Sequence, residues 1–138
     1  MKRTAKAQWN GNLKYGKGEI SSQSTVLNQT PYSFKTRFAG TGTNPEELIA
    51  AAHAGCFTMS VSATLQRLGF IANDLNTEAV LGMDMTDFRI TGIHLSLKAS
   101  LINGVSAEAF HEIAEGAKVN CIVSKVLNTP ITLSVRYQ

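Results

Sequence analysis

Apolar and polar residues alternate with a period of two near the start and the end of the chain, and a long helical pattern separates the two regions. Ala7, Trp9 and Leu13 mark a first strand over 5–13, with Asn10-Gly11 as a bend or bulge signal. Gly16 and Gly18 punctuate a turn, 19–23 reads as the returning strand, and 24–30 is polar and loop-like. Tyr32, Phe34, Thr36 and Phe38 alternate against Ser33, Lys35 and Arg37, which predicts a half-buried strand over 32–38 with Arg37 on its polar side. After a Gly-rich break at 39–43, Asn44 is a suitable N-cap and Pro45 suits the first helical position. Glu46 and Glu47 complement the positive end of the dipole. The helix can run to Leu68, about 36 Å, with Gly69 as its C′ residue. Its middle, with Ala50, Ala51, Ala52, Ala54 and Gly55, is made of small side chains that let another backbone come close. Such residues contribute little burial of their own, so something large should pack on them.

The second half continues with two long strands. Leu75, Thr77, Ala79, Leu81, Met83 and Met85 keep one parity, and Thr86-Asp87 forms a hairpin turn. Phe88 and Ile90 then alternate, the parity slips at Thr91-Gly92, and Ile93, Leu95, Leu97, Ala99 and Leu101 continue; a slip at glycine predicts a β-bulge. Ser106 can cap a second helix with Phe110, Ile113, Ala114 and Ala117 on one face. A short third helix over 122–127 stops at Asn128 and Pro130, and Ile131, Leu133, Val135 and Tyr137 alternate as the last strand. The order βββαββααβ predicts an α+β fold with largely antiparallel pairing.

Composition narrows the functional classes. The chain has 138 residues, which fits one domain able to bury roughly two-thirds of its unfolded surface. A net charge of +3 and a pI near 9.0 come from scattered lysines and arginines, without the stripe or motif of a nucleic-acid binder. Residues 1–10 hold no apolar core of a signal peptide, so the cytoplasm is the default compartment. The longest apolar stretch, 48–61, is interrupted by His53 and reads as too short to span a bilayer.

Cys56 and Cys121 carry the candidate chemistry. In a reducing cytosol a cysteine pair is more often catalytic, metal-binding or inert than a lasting disulfide. Cys56 falls in mid-helix, where apolar burial would raise its pKa and silence it. To ionise it needs a cation: His53 is near in sequence, and Arg37 would have to arrive through the fold. Cys121 lies at the start of the third helix, whose dipole favours a thiolate. Taken singly, each cysteine reads as a small buried hydrophobe. His53, Cys56, His111 and Cys121 could instead supply four zinc ligands, although zinc-motif spacing is absent. A Cys-His hydrolase is less well supported, having no orienting acid and no oxyanion motif. His94 and His111 read as surface or partly buried structural residues.

Several segments together resemble one family. Asn44-Pro45-Glu46-Glu47-Leu48, His53-Ala54-Gly55-Cys56-Phe57 and Cys121-Ile122-Val123-Ser124 are similar to the OsmC/Ohr family of thiol-dependent peroxidases. Trp9, Val26-Leu27-Asn28-Gln29 and Thr36-Arg37-Phe38 resemble its OsmC branch, and the likeness covers nearly the whole chain. Ile122 stands where the family often has proline. The resemblance implies a mostly antiparallel sheet of about six strands, long central helices and an intertwined homodimer. It implies reduction of organic hydroperoxides without a metal or organic prosthetic group. Cys56 would be the peroxidatic thiol, Cys121 the resolving thiol, and Arg37 with Glu46 the polar pair that poises the thiolate and orients the peroxide. A dithiol, a lipoylated protein or a small thiol, would regenerate the enzyme. The runner-up is a non-enzymatic, dimeric binding or zinc-binding protein of the same fold.

Helix geometry adds one expectation to those roles. Glu46 and Cys56 lie on one predicted helix, separated by about 15 Å along its axis, too far for one site within a chain. They meet if two copies of the helix pack antiparallel about a dyad at Ala51, midway between them. An isologous homodimer with two shared sites is therefore expected.

Overall fold

A computed structural model describes residues 1–38 and 41–138. Ala39 and Gly40, part of the expected Gly-rich break, lie outside the described residues. The chain divides into two units, Met1–Leu48 and Ile49–Gln138.

The first unit holds an antiparallel sheet in the order β1 (Ala5–Asn10), β2 (Lys17–Ser22), β3 (Thr30–Tyr32). Trp9 and Tyr32 fix its register, their ring centroids 5.4 Å apart. Gly18 pairs with both residues, and a Cβ there would collide with the two rings, so glycine is required. The strand expected over 32–38 ends early. Its second half is a 3-10 turn, Lys35–Arg37. Thr36 is the reason: its hydroxyl lies 2.7 Å from the Ser33 carbonyl and 2.8 Å from that of Thr43. It also accepts from the Ser33 N–H at 3.0 Å. These local bonds draw the chain into a turn that the alternation of aromatics does not reveal.

Helix α1 (Pro45–Arg67) starts as expected. Asn44 Oδ1 accepts the Glu47 N–H at 2.8 Å, which caps the helix, while Asn44 Nδ2 donates to the Thr36 carbonyl at 3.1 Å. One side chain thus ties the helix start to the 3-10 turn. Gly69 has φ +85° and closes the other end. With 23 residues, α1 is long and apolar enough by composition to cross a membrane. The apolar stretch 48–61, too short on its own, lies inside this longer helix.

In the second unit β4 (Leu75–Asp84), β5 (Arg89–Ala99) and β6 (Ile131–Tyr137) form a sheet in that order. The bulge falls where the parity slip predicts: Gly82 pairs with Gly92 and Met83 with Ile90, leaving Thr91 unmatched. The single six-stranded sheet implied by the resemblance is not what the chain forms. Among the described residues six strands are divided between two three-stranded sheets, and β5 pairs with β6 in parallel. Helices α2 (Ala107–Asn120) and α3 (Ile122–Val126) form the crossover that a parallel pairing requires. Ser106 Oγ accepts the Ala109 N–H at 3.1 Å and caps α2.

The core of this unit draws on all its layers. Phe57, Val61 and Leu65 of α1 meet Ile93, Leu95 and Leu97 of β5 and Phe110, Ala114 and Ala117 of α2. The apolar stripe of α1 recurs every four residues and begins with buried His53. Phe110 stacks on Tyr137 with centroids 4.2 Å apart, and Tyr137 Oη accepts the Ile102 N–H at 2.7 Å. Phe110→Ala should therefore lower the unfolding free energy by about 3–5 kcal/mol. Val126→Ala, on the exposed side of α3, should change it by less than about 0.5 kcal/mol. Urea titration of both variants checks the contrast; equal effects would mean that the Phe110 stack is not a core contact.

Candidate active site

Two pairs of the expected site residues come together, one in each unit. In the second unit, Cys121 interrupts the run from α2 to α3. Its φ of −57° and ψ of 128° are not helical, yet its N–H donates to Ala117 O at 2.8 Å and its carbonyl accepts the Lys125 N–H at 3.1 Å. The kink turns the side chain inward, where it is 1% exposed. Cys56 reaches it from α1, and the sulfurs are 2.9 Å apart. They are not bonded, but the separation exceeds a disulfide's length by only about 0.9 Å.

The two thiols differ electrostatically. Burial raises the pKa of Cys56, the hydrogen bond shared with Cys121 raises it further, and the N–H groups of Val123 and Ile122 offset this only in part. For Cys121 burial also opposes ionisation, but it is outweighed. The Cys56 thiol, the Ser124 N–H and hydroxyl, and the Val123 N–H all stabilise its thiolate, so its pKa falls. The two thiols are coupled through the hydrogen bond they share, and the α3 N–H groups and Ser124 favour the charged form of Cys121.

His53 is not the cation that Cys56 could have used. It is fully buried, and burial lowers its pKa, so the ring is neutral. Its Nε2 lies 2.8 Å from Ser124 Oγ, and its Nδ1 has no partner among the described residues. In the sequence alone Ser124 carries no signal of its own beyond its place beside Cys121. The four-residue period His53, Phe57, Val61, Leu65 could have placed His53 on the buried stripe. The four residues considered for zinc do not assemble: among the described residues no three His, Cys, Asp or Glu side chains form a group that could hold a metal ion. His94 is a structural residue, bridging Thr132 Oγ1 at 2.7 Å and Ser134 Oγ at 3.1 Å.

In the first unit Arg37 Nη2 lies 3.1 Å from Glu46 Oε1, the two side chains 26% and 19% exposed. The 3-10 turn presents Arg37, the first turn of α1 presents Glu46, and Asn44 joins the two segments. Phe34 lies under the guanidinium, 5.8 Å from ring centroid to Cζ. Glu46 Oε2 is buried with no partner among the described residues, a free acceptor beside a cation. A cavity of about 300 Å³ opens here, lined by Trp9, Leu13, Tyr32, Phe34, Arg37 and Pro45 among others. The aromatic wall and Arg37 together make an apolar pocket with one charged corner.

The OsmC-like protein family matches this chain over residues 38–136. Peroxiredoxin OsmC of Escherichia coli K12 is 48% identical over 130 residues, which is 92% of this chain and 90% of that protein. In solved structures the fold recurs in an OsmC-like protein of Mycoplasma pneumoniae, with a TM-score of 0.76, 14% identity and coverage of 99% and 97% of the two chains. It recurs also in the organic hydroperoxide resistance protein OhrB of Bacillus subtilis, with a TM-score of 0.67, 23% identity and 98% of each chain covered. Two facing cysteines, an arginine–glutamate pair and this extent of similarity lead to one conclusion: the chain belongs to the OsmC-like protein family.

Proposed function

We propose that the protein is a cytoplasmic, cysteine-based peroxidase that reduces organic hydroperoxides to alcohols. The observation that carries this reading is the 2.9 Å approach of Cys56 and Cys121, close enough to cycle between dithiol and disulfide with little backbone motion. The name of the Escherichia coli relative, a peroxiredoxin, points to the same class.

The chemistry follows from the two pairs. The Cys56 thiolate attacks the distal oxygen of ROOH, the O–O bond breaks, and RO⁻ leaves as ROH after taking a proton. Cys56 is now a sulfenic acid. The Cys121 thiolate attacks that sulfur, the S–O bond breaks, and hydroxide leaves as water with the proton that Cys121 has released. A dithiol, a lipoylated protein or a small thiol, then reduces the disulfide by exchange. Arg37 stabilises the Cys56 thiolate and the charge developing on the departing oxygen, and Glu46 Oε1 holds the guanidinium. Glu46 Oε2 accepts the peroxide O–H, and the aromatic pocket takes the organic group.

The site requires two copies of the chain. Among the described residues no cation acts on Cys56 from its own chain, and burial raises its pKa. A homodimer with its dyad at Ala51 would bring Arg37 and Glu46 of the partner subunit to Cys56. The exposed side of α1 supports such a contact: Ala51 and Gly55 are exposed, nothing crowds Gly55 within 4 Å, and Met59 is 73% exposed. Burying an apolar, small-residue face against its own copy is favourable.

Cys121→Ser should still reduce one equivalent of peroxide, leaving a Cys56 sulfenate that dimedone traps and excess peroxide overoxidises; mass spectrometry checks this. Sustained dithiol-driven turnover by that variant would remove the resolving role. Arg37→Ala should lower kcat/KM about 100-fold. It should also move the midpoint of Cys56 alkylation to higher pH, because loss of the cation leaves the raised thiol pKa uncorrected. Co-refolding Arg37→Ala with Cys56→Ser should recover about one quarter of wild-type activity, since half the dimers then carry one intact site of two. No recovery in a mixture that demonstrably exchanges subunits would contradict the shared site.

A further inference from the structure

Two side-chain pairs join α1 to the α3 segment, and they are in register. The Cys56 and Cys121 sulfurs are 2.9 Å apart, and His53 Nε2 is 2.8 Å from Ser124 Oγ. His53 precedes Cys56 by three residues, and Ser124 follows Cys121 by three. The two segments therefore run in opposite directions here and form a ladder of two rungs, about 4.5 Å apart along α1. Among the described residues these are the side chain-to-side chain bonds from α1 to residues 121–126. α3 has little else to hold it in place. Its five residues are too few for a helix to stand alone, and none of them is fully buried. Val123 packs against the core only in part. Apolar burial is non-directional, so it keeps α3 docked without fixing where it sits along α1. A hydrogen bond does fix it, through distance and angle. His53 is 0% exposed, Ser124 holds its Nε2, and its Nδ1 has no partner among the described residues. Sliding α3 would leave a buried ring with neither nitrogen bonded, which is costly.

We propose that the His53–Ser124 bond is a redox-silent clamp that sets α3 against α1 and so keeps Cys121 within reach of Cys56. The proposal rests on the reading of these cysteines as a redox pair. His53 and Ser124 are positioning residues. The cysteine rung changes chemically in that cycle: two thiols, then a sulfenic acid beside a thiol, then a disulfide. The histidine rung contains no redox atom and is the same in all three. When Cys121 Sγ attacks the sulfenic acid, the S–S bond forms and the S–O bond breaks. Hydroxide leaves as water with the proton of the Cys121 thiol, and no atom of His53 or Ser124 enters that balance. The clamp acts by raising the effective concentration of one sulfur at the other. By linkage, a bond that favours docking of α3 favours the disulfide to the same extent. The assignment also explains the histidine at the head of an otherwise apolar stripe, since a leucine there would pack but would not fix the register.

The test equilibrates the full chain with glutathione buffers of graded oxidation and measures the fraction carrying the Cys56–Cys121 disulfide. Ser124→Ala should lower the equilibrium constant for that disulfide about tenfold, the scale of one buried hydrogen bond. Its reduction potential then lies about 30 mV higher than that of the wild type. Ser124→Thr, which keeps the hydroxyl, should restore the constant to within about twofold of wild type. Ser60→Ala is the control: it removes a different bond of α1, from Ser60 Oγ to the Ala117 carbonyl of α2 at 3.4 Å, and should leave the constant unchanged. A wild-type constant in Ser124→Ala, or an equal fall in Ser60→Ala, would overturn the proposal. Should Ser124→Ala fail to fold, the double variant His53→Leu/Ser124→Ala replaces both partners with apolar groups and leaves no buried nitrogen unpaired. It should show the same tenfold fall, and a wild-type constant there would equally overturn the clamp. These constants do not depend on peroxide. If the peroxidase reading failed, the wild type would keep both thiols in cumene hydroperoxide while the Ser124 variants still differed in glutathione.

Discussion

The contact between Cys56 and Cys121 depends on a non-helical residue placed between two helices. Cys121 ends α2 and begins α3, and its backbone bonds to Ala117 and Lys125 keep both helices anchored across the break. A continuous helix would carry the second sulfur past the first. The break instead turns it into the core, where α1 delivers Cys56 to within 2.9 Å. The position of α1 is fixed by burial of Phe57, Val61 and Leu65 against β5 and α2. The cysteine pair is thus a by-product of core packing, and that packing sets its distance.

That same packing makes the pair unequal. Cys56 is disfavoured as a thiolate by its surroundings in its own chain, and Cys121 is favoured by α3 and Ser124. In the proposed cycle an isolated chain would be set up for the second step and not for the first. In the same proposal Arg37 and Glu46, beside the aromatic pocket, would supply what the first step needs: a fixed cation, a free acceptor and an apolar seat. In the proposed dimer each chain would provide its partner with the ability to ionise Cys56, while keeping the resolving half for itself. Activity and assembly would then be linked, because separation of the subunits would leave the peroxidatic thiol protonated.

Local signals in the sequence carried much of the fold. The cap at Asn44, the proline after it and the Gly69 stop delimit α1 because helix ends are set by neighbouring residues. The parity slip at Thr91-Gly92 marks the bulge because a one-residue insertion shifts every later side chain to the other face. Pairings between distant segments were not legible. Alternation says that 131–137 is a strand, but not that it lies parallel to β5. The turn at Lys35–Arg37 was hidden because Thr36 sits in the alternation like any strand residue and acts through its hydroxyl. Of the site, the cysteines could be named and could not be paired from spacing. Arg37 and Glu46 came from the family likeness, and Ser124 acquires meaning only once the fold sets its hydroxyl against His53.

The central claim is that Cys56 and Cys121 of one chain are the two ends of a peroxide-reducing cycle. The most direct measurement is to add one equivalent of cumene hydroperoxide to the fully reduced protein, titrate the remaining thiols and map the peptides without reduction. The account predicts loss of both thiols, a single peptide pair linked through Cys56 and Cys121 of the same chain, and release of one equivalent of alcohol. Two thiols still free beside unconsumed peroxide, or a disulfide joining Cys56 residues of different chains, would contradict it.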